Sequence, residues 1–207
     1  VPRVRAVLDT QDNLGAGYVM EALEGETIAR KILRDDEFAD ARPKLAAQCG
    51  AAMAGIHSVD VSKLDGMKEQ SALDQLNMYR AIYDQIDDPH PVFELAFCWL
   101  EDNAPEAVTP HLVHGDFRNG NLMIGADGLR GVLDWELAHL GDPMEDLGWL
   151  CVTSWRFGEI DKPVGGFGQL DDLFAGYEAA GGAKVDPARV HYWEVFGTMK
   201  WGVICMM

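Results

Sequence analysis

The sequence predicts an α+β fold in which a mainly helical lobe follows two short strands and contains one central β-hairpin. Three observations support this prediction. Over most of the chain beyond residue 27, apolar residues recur at the spacing of a buried helix face. Two short apolar stretches stand at the start of the chain. Two more flank an Asp-Gly pair at residues 127–128, which is typical of a tight hairpin turn.

The first elements are short. Residues 4–8 and 16–20 are predicted to form two strands, joined by a turn at residues 12–15. Residues 27–34 fit a short helix, and residues 38–57 fit a long one with an apolar face.

Five further helices are predicted in the rest of the chain. Pro143 suits the first turn of one of them, because proline has a helical φ and no N–H to leave unpaired. Gly181 and Gly182 end another. These helices cover residues 71–86, 91–103, 143–155, 169–180 and 187–207.

The central hairpin is expected to gather three polar side chains. Its strands are residues 121–124 and 129–133, so Asn121 stands at the start of one and Asp134 follows the end of the other. A tight hairpin brings these two side chains to the same end. Asp116 lies in the loop just before the hairpin, within reach of the same point.

This set of side chains suits phosphoryl transfer. A carboxylate must meet the hydroxyl that receives the phosphoryl group, and an amide oxygen with a second carboxylate must hold Mg²⁺ against the nucleotide phosphates. The sequence therefore indicates Asp116 for the first role, and Asn121 with Asp134 for the second.

The motif His-Gly-Asp-x-x-x-x-Asn at residues 114–121, with Asp134 downstream, resembles the aminoglycoside phosphotransferase and choline kinase-like superfamily. That superfamily has the protein-kinase-like fold. Residues 18–25 are similar to its last N-lobe strand and hinge. Residues 131–150 are similar to one branch in particular, which contains bacterial phosphotransferase-family proteins and the kinase-like domain fused to some acyl-CoA dehydrogenases.

The resemblance implies an ATP-dependent kinase that acts on a hydroxyl of a small molecule. It implies Asp116 as the catalytic base and Asn121 and Asp134 as Mg²⁺ ligands. It further implies that Asp146 is buried and holds the catalytic loop by hydrogen bonds. The backbone that would bind adenine belongs to Glu21, Ala22 and Leu23.

The resemblance also implies a domain division, with residues 1–24 as the end of the N-lobe and the hinge, and residues 25–207 as the helical catalytic C-lobe. The family pattern includes a glycine-rich phosphate loop, a strand lysine and a helix glutamate. None is visible in the sequence, and both ends of the chain look cut. We therefore expect a fragment, or the ordered part, of a longer chain.

Composition narrows the classes of partner. The formal charge of −17 argues against nucleic acid and anionic membranes. No segment has the unbroken apolar length of a transmembrane helix. The four cysteines are widely spaced, without a Cys-x-x-Cys pair, and indicate buried thiols of a cytoplasmic protein rather than disulfides or a zinc site.

Several residues leave two readings open. Asp116 and Asn121 could cap turns, and Asp134 could merely end a strand. Arg118 could neutralise a transferring phosphoryl group or form a surface ion pair, and Glu136 could support the metal or be solvated. His57 and His114 are better explained as structural histidines. The core is expected to contain Trp149, Trp155, Trp193 and Trp201, and a substrate-lining role stays open for one or two of them, because this lobe supplies the acceptor pocket in the family that the motif resembles.

Two other functions stay open at this point. One is a non-catalytic, pseudokinase-like module that kept the fold and binds a nucleotide or metabolite. The other is a metal-dependent hydrolase, although it would need a richer cluster of His and Asp ligands than the motif offers. The acceptor is not identified by the sequence, and the related branch suggests a hydroxyacyl-CoA or another metabolite alcohol.

Overall fold

The computed structural model describes all residues, 1–207, and shows an α+β arrangement with six short strands in three antiparallel pairs. Strands β1 (Val4–Val7) and β2 (Tyr18–Met20) form the first pair, and their side chains are exposed on both faces. The other two pairs lie at the centre of the chain. They are β3 (His111–Val113) with β6 (His139–Gly141), and β4 (Leu122–Gly125) with β5 (Gly128–Val132).

Seven α-helices supply most of the remaining structure, and they confirm the mainly helical lobe. None of them combines the length and apolar character that a membrane crossing requires. They are α1 (Ala29–Arg34), α2 (Arg42–His57), α3 (Ala72–Tyr83), α4 (Pro91–Asp102), α5 (Met144–Cys151), α6 (Leu170–Ala179) and α7 (Pro187–Met206).

Helix α2 packs along α6, and helix α5 packs on α7. The α2–α6 contact is close because Gly50 faces the partner helix without a side chain. A Cβ atom there would lie 2.2 Å from the carbonyl oxygen of Leu173. Large apolar side chains from α2, α4, α6 and α7 fill one continuous core, including Leu45, Met53, Phe97, Leu173, Tyr177, Trp193 and Phe196.

Several helix boundaries differ from the predicted ones by one to four residues, and three of these differences coincide with a local structural feature. The long helix begins at Arg42, next to Pro43 in its first turn, and a 3₁₀ turn at Asp36–Phe38 precedes it. Helix α3 begins at Ala72, because Ser71 and Asp74 form a capping box. Helix α5 ends at Cys151, and a separate 3₁₀ turn at Thr153–Arg156 follows.

The predicted hairpin is confirmed. Leu122 pairs with Val132 and Gly125 with Gly128, so residues 126–127 form the turn. The sequence did not indicate β6, which has only three residues and exists because β3 offers it an antiparallel partner. The β3–β6 pair flanks the loop that carries the motif.

Candidate active site

The motif loop runs from the end of β3 to the start of β4 and is almost entirely buried. Gly115 has a φ of 76°, and a Cβ atom at this position would lie 2.5 Å from the carbonyl oxygen of Leu137. Only glycine combines a positive φ with so close an approach. The glycine of the motif thus lets the loop fold tightly against the segment that leads into β6.

Asp146, near the start of α5, anchors this loop. It is fully buried, and its two carboxylate oxygens accept the backbone N–H groups of His114 at 2.9 Å and Gly115 at 3.0 Å. The structure confirms the predicted role of this residue. Burial alone would raise the pKa of the Asp146 carboxyl, but the hydrogen bonds that it accepts from His57 and from the His114 backbone hold that pKa below its usual value.

His57 supports Asp146 from helix α2. Its Nε2 lies 3.1 Å from Asp146 Oδ2, and its Nδ1 lies 3.0 Å from the hydroxyl of Tyr177. Burial raises the pKa of Tyr177 to about 12, so the phenol keeps its proton and can donate it to Nδ1. His57 is therefore a buried, satisfied structural residue, as predicted.

His114 is structural too. Its Nδ1 accepts the backbone N–H of Asp116 at 3.2 Å, and its Nε2 donates to the carbonyl oxygen of Leu133 at 2.9 Å. The two bonds fix one tautomer of the ring. They also tie the motif loop to the end of the hairpin, just before Asp134.

The Asp116 carboxylate is the centre of the site, and only 8% of the residue is exposed. Its Oδ1 accepts the indole N–H of Trp149 at 2.8 Å and the Arg118 guanidinium at 3.0 Å, and its Oδ2 accepts the side-chain amide of Asn121 at 2.6 Å. Four side chains therefore converge here. Arg118 forms an ion pair, as one of its two readings stated, but its partner is the motif aspartate itself.

Asn121 keeps its amide oxygen free. Its Nδ2 donates both to the carbonyl oxygen of Asp116 at 2.9 Å and to the carboxylate of that residue, so Oδ1 points elsewhere. Both partners can only accept, which settles the orientation of the amide.

Asp134 lies beside Asn121 in the hairpin register, because Leu133 N–H donates to the carbonyl oxygen of Asn121 at 2.8 Å. The common end of the hairpin, predicted for Asn121 and Asp134, is confirmed. Asp134 is exposed, has a φ of 64°, and makes no hydrogen bond or ion pair through its carboxylate. A free amide oxygen and a free carboxylate on residues at the same end of the hairpin are ligand types that suit Mg²⁺.

The predicted hinge contacts this hairpin. The backbone of Glu26 pairs with that of Ile124 in both directions, at 2.8 and 2.9 Å, and Leu23 packs on Gly131. The backbone groups of Ala22 and Leu23 have no intramolecular hydrogen-bond partner, whereas the Glu21 side chain pairs with Arg5. Free N–H and C=O groups at this point are available to a ligand with a complementary edge.

Three features of the site were missed by the sequence reasoning. Trp149 was expected in the core or along the acceptor pocket, yet its indole N–H donates to Asp116. His139 and Glu145 form a buried pair at 3.1 Å behind Gly115, with no sign of it in the sequence. Lys200 is 5% exposed and lies 3.4 Å from the Gly115 carbonyl oxygen. A signal existed for Lys200, since it is the only charged residue between positions 195 and 207.

No group of three or more His, Cys, Asp or Glu side chains is arranged to hold a metal ion. The expected Asn–Asp pair is a different kind of site, with two protein ligands and the remaining positions left to water and phosphate oxygens, as is usual for Mg²⁺ bound with nucleotide phosphates.

Solved structures with the same fold share the architecture. A Ralstonia eutropha protein described as an aminoglycoside phosphotransferase aligns with a TM-score of 0.72 at 21% identity, over 100% of this chain and 67% of its own. The GDP complex of a mutant of aminoglycoside 2'-phosphotransferase-IIIa aligns with a TM-score of 0.70 at 16% identity, over 99% of this chain and 68% of its own. A choline/ethanolamine kinase family protein from Mesorhizobium loti aligns with a TM-score of 0.67 at 18% identity, over 98% and 64%. The expected kinase-like fold is confirmed.

The relatives found by sequence are described as acyl-CoA dehydrogenases and not as aminoglycoside phosphotransferases. The "Probable acyl-CoA dehydrogenase IBR3" of Arabidopsis thaliana is 30% identical over 78% of this chain and 22% of the relative. Acyl-CoA dehydrogenase family member 10 of Mus musculus is 35% identical over 47% of this chain and 10% of the relative. The chain thus spans no more than about a fifth of the length of these relatives.

The family model described as "Phosphotransferase enzyme family" matches residues 1–185, which include the motif loop, the hairpin and the Asp146 anchor. The resemblance read from the motif is thereby confirmed: the chain belongs to the phosphotransferase enzyme family.

Proposed function

We propose that this chain is the catalytic part of an ATP-dependent phosphotransferase that moves the γ-phosphoryl group to a hydroxyl of a small molecule. The observation that carries the proposal is the Asp116 carboxylate, which three side-chain donors hold in one orientation beside the two candidate metal ligands, Asn121 and Asp134. A general base must be fixed in this way before an acceptor hydroxyl can meet it.

In the proposed reaction, Asp116 accepts a hydrogen bond from the acceptor hydroxyl and takes its proton as the oxygen attacks the γ-phosphorus. The bond from that phosphorus to the β–γ bridging oxygen breaks at the same time, and ADP leaves. Arg118 pairs with Asp116, and 26% of its side chain is exposed, so its guanidinium can also face the negative charge of the transferring group. Asp146 and His57 touch no reacting atom and keep the loop in shape. Catalysis in this scheme comes mainly from positioning and charge neutralisation.

Asn121 and Asp134 would hold Mg²⁺, which would neutralise charge on the nucleotide phosphates when bound. The free backbone groups of Ala22 and Leu23, next to Glu21, would bind the adenine edge. Among solved structures of the fold, one aminoglycoside phosphotransferase is a complex with ADP and streptomycin, and another is a complex with GDP. Such complexes support a nucleotide site in this chain.

This proposal includes the domain division: residues 1–24 as the end of an N-lobe with its hinge, and residues 25–207 as the catalytic C-lobe. We place the protein in the cytoplasm. We expect neither nucleic acid nor an anionic membrane as a partner, because the net charge of −17 repels both. The acceptor is a small hydroxyl compound. The acyl-CoA dehydrogenase relatives make hydroxyacyl-CoA compounds the first class to test.

The test is phosphoryl transfer by the full-length protein. The protein is incubated with ATP and Mg²⁺ and a panel of hydroxyacyl-CoAs, other metabolite alcohols and aminoglycosides, and ³¹P NMR follows the loss of the γ-phosphate and the appearance of a phosphate monoester. The proposal predicts a monoester with at least one acceptor class. Failure to bind ATP·Mg²⁺ in a titration would contradict it and favour the non-catalytic binding module.

A further inference from the structure

The buried lysine of helix α7, Lys200, has no counter-ion. Only 5% of the residue is exposed, and its ammonium group makes no ion pair with any carboxylate. Burial of an unpaired ammonium is costly, because the charge loses its water without gaining a partner. Such a residue in the apolar end of a helix calls for an explanation beyond packing.

The two nearest contacts of Lys200 lead to the motif loop. Its Nζ lies 3.4 Å from the carbonyl oxygen of Gly115, the residue before Asp116. It also lies 4.5 Å from the centre of the Trp149 indole ring, within the range of a cation–π contact. On a third side the Tyr79 ring centre is 5.9 Å away.

Trp149 continues the connection to the carboxylate. The indole N–H that donates to Asp116 Oδ1 at 2.8 Å belongs to the ring on whose face the ammonium lies. Lys200 therefore contacts two of the supports of Asp116 at once, the backbone before it and the ring that holds one of its oxygens. The ammonium over the Trp149 ring favours one position of the ring. Its positive charge also draws electron density away from the indole N–H, on the side that faces Asp116.

The structure assigns Lys200 a role that no motif indicates, and we propose that it is a positioning residue for Asp116 that acts through Trp149 and the Gly115 carbonyl. The catalytic part of this inference rests on the proposed function. The structural part, a lysine that fixes the Trp149–Asp116 hydrogen bond, does not depend on it.

The variants are Lys200→Met, which keeps the length and apolar stem but removes the charge and the donor, and Lys200→Arg, which keeps a cation. Lys184→Met is the matched control, because Lys184 is exposed and makes no hydrogen bond or ion pair. Trp149→Phe removes the indole N–H and identifies the Trp149 resonance. All variants are made in the full-length protein and checked for folding by thermal unfolding.

The first readout needs no activity. In protein labelled with 5-fluorotryptophan, ¹⁹F NMR should show that Lys200→Met moves the Trp149 resonance, that Lys200→Arg moves it less, and that Lys184→Met leaves it in place. Asp116→Asn should move the same resonance, because it changes the group that the indole N–H contacts. A folded Lys200→Met protein with an unmoved Trp149 resonance would overturn the proposal, whether or not the protein transfers phosphoryl groups.

The second readout is turnover with the acceptor found above. Lys200→Met should lower kcat by about 10- to 100-fold, as a slightly misplaced catalytic group does, while KM for ATP stays within about twofold. In the Asp116→Asn background the same substitution should have almost no further effect on kcat, because the residue acts through that carboxylate. Equal losses in both backgrounds would overturn the role in positioning, and total absence of turnover in the wild type would count against the proposed function and leave the NMR result standing.

Discussion

The side-chain amide of Asn121 donates to Asp116 Oδ2 at 2.6 Å, so the candidate metal ligand and the candidate base are in direct contact. The amide nitrogen of Asn121 donates to the candidate base, and the amide oxygen has no partner in the protein and is available to a cation. The hairpin register places Asp134 at the same end. The side chains proposed to accept the proton and to bind the metal therefore belong to one connected group, and the loss of each proposed role can be measured separately.

Asp134→Asn should weaken Mg²⁺ binding without displacing the base. The amide keeps one ligand oxygen but removes the negative charge that a hard cation prefers. We expect turnover to fall at low Mg²⁺ and to recover partly when Mg²⁺ is raised, as measured by a Mg²⁺ titration of the initial rate. Asp127→Asn, at the opposite end of the hairpin, is the control. A loss of turnover that is independent of Mg²⁺ concentration would argue against Asp134 as a ligand.

Asp146→Asn should destabilise the protein. The amide can accept only through one oxygen, so one of the three donors that Asp146 now satisfies would face an N–H group. A buried donor left without an acceptor costs about 1–3 kcal/mol. Urea unfolding gives the free energy of unfolding, and Asp172→Asn, on the exposed first turn of α6, is the control. Equal stabilities of the two variants would show that the anchor contributes little.

The pair of His139 and Glu145 should make stability depend on pH. Burial lowers the pKa of His139, but the hydrogen bond and charge of Glu145 outweigh it, and the pKa lies above the usual value. A raised pKa in the folded state stabilises the protein below the unfolded histidine pKa of about 6.5, and this contribution is lost as the pH rises through the raised pKa.

The measurement for this pair is the difference in the free energy of unfolding between the wild type and His139→Gln, obtained by urea unfolding at several pH values. The wild type should lead by most at acid pH, and its advantage should shrink towards alkaline pH. Titrating groups that do not contact His139 are common to both proteins and cancel in the difference, so the difference reports the His139–Glu145 pair. A difference that is constant with pH, or that grows as the pH rises, would contradict the assigned charge state.

The sequence predicted those parts of the site that depend on local chain geometry. The Asp-Gly turn and its apolar flanks determine the hairpin, and the hairpin brings Asn121 and Asp134 together. The anchor role of Asp146 followed from the family resemblance, and its apolar neighbours in the sequence indicated its burial. The hairpin depends on a local turn signal, and the anchor depends on a recognised family pattern.

The parts that were missed depend on contacts between distant segments. Lys200 and Gly115 are 85 positions apart, and Gln75 donates to Glu145 from 70 positions away. No local pattern specifies that these helices meet, because helical periodicity predicts a buried face and not its partner. Strand β6 was not predicted for the same reason, because its three residues form a strand only by pairing with β3.

The proposed role of Asp116 as the base of a phosphotransferase is tested by comparing the turnover of Asp116→Asn with that of the wild type in the full-length protein. The substitution keeps the shape of the side chain and removes the group that takes the proton. General-base help contributes roughly 10²–10⁴-fold, so kcat should fall by about that factor while ATP·Mg²⁺ binding, measured by calorimetry, is retained. Asp171→Asn, exposed on α6, should keep full turnover. If Asp116→Asn turned over as fast as the wild type, Asp116 would not be the general base.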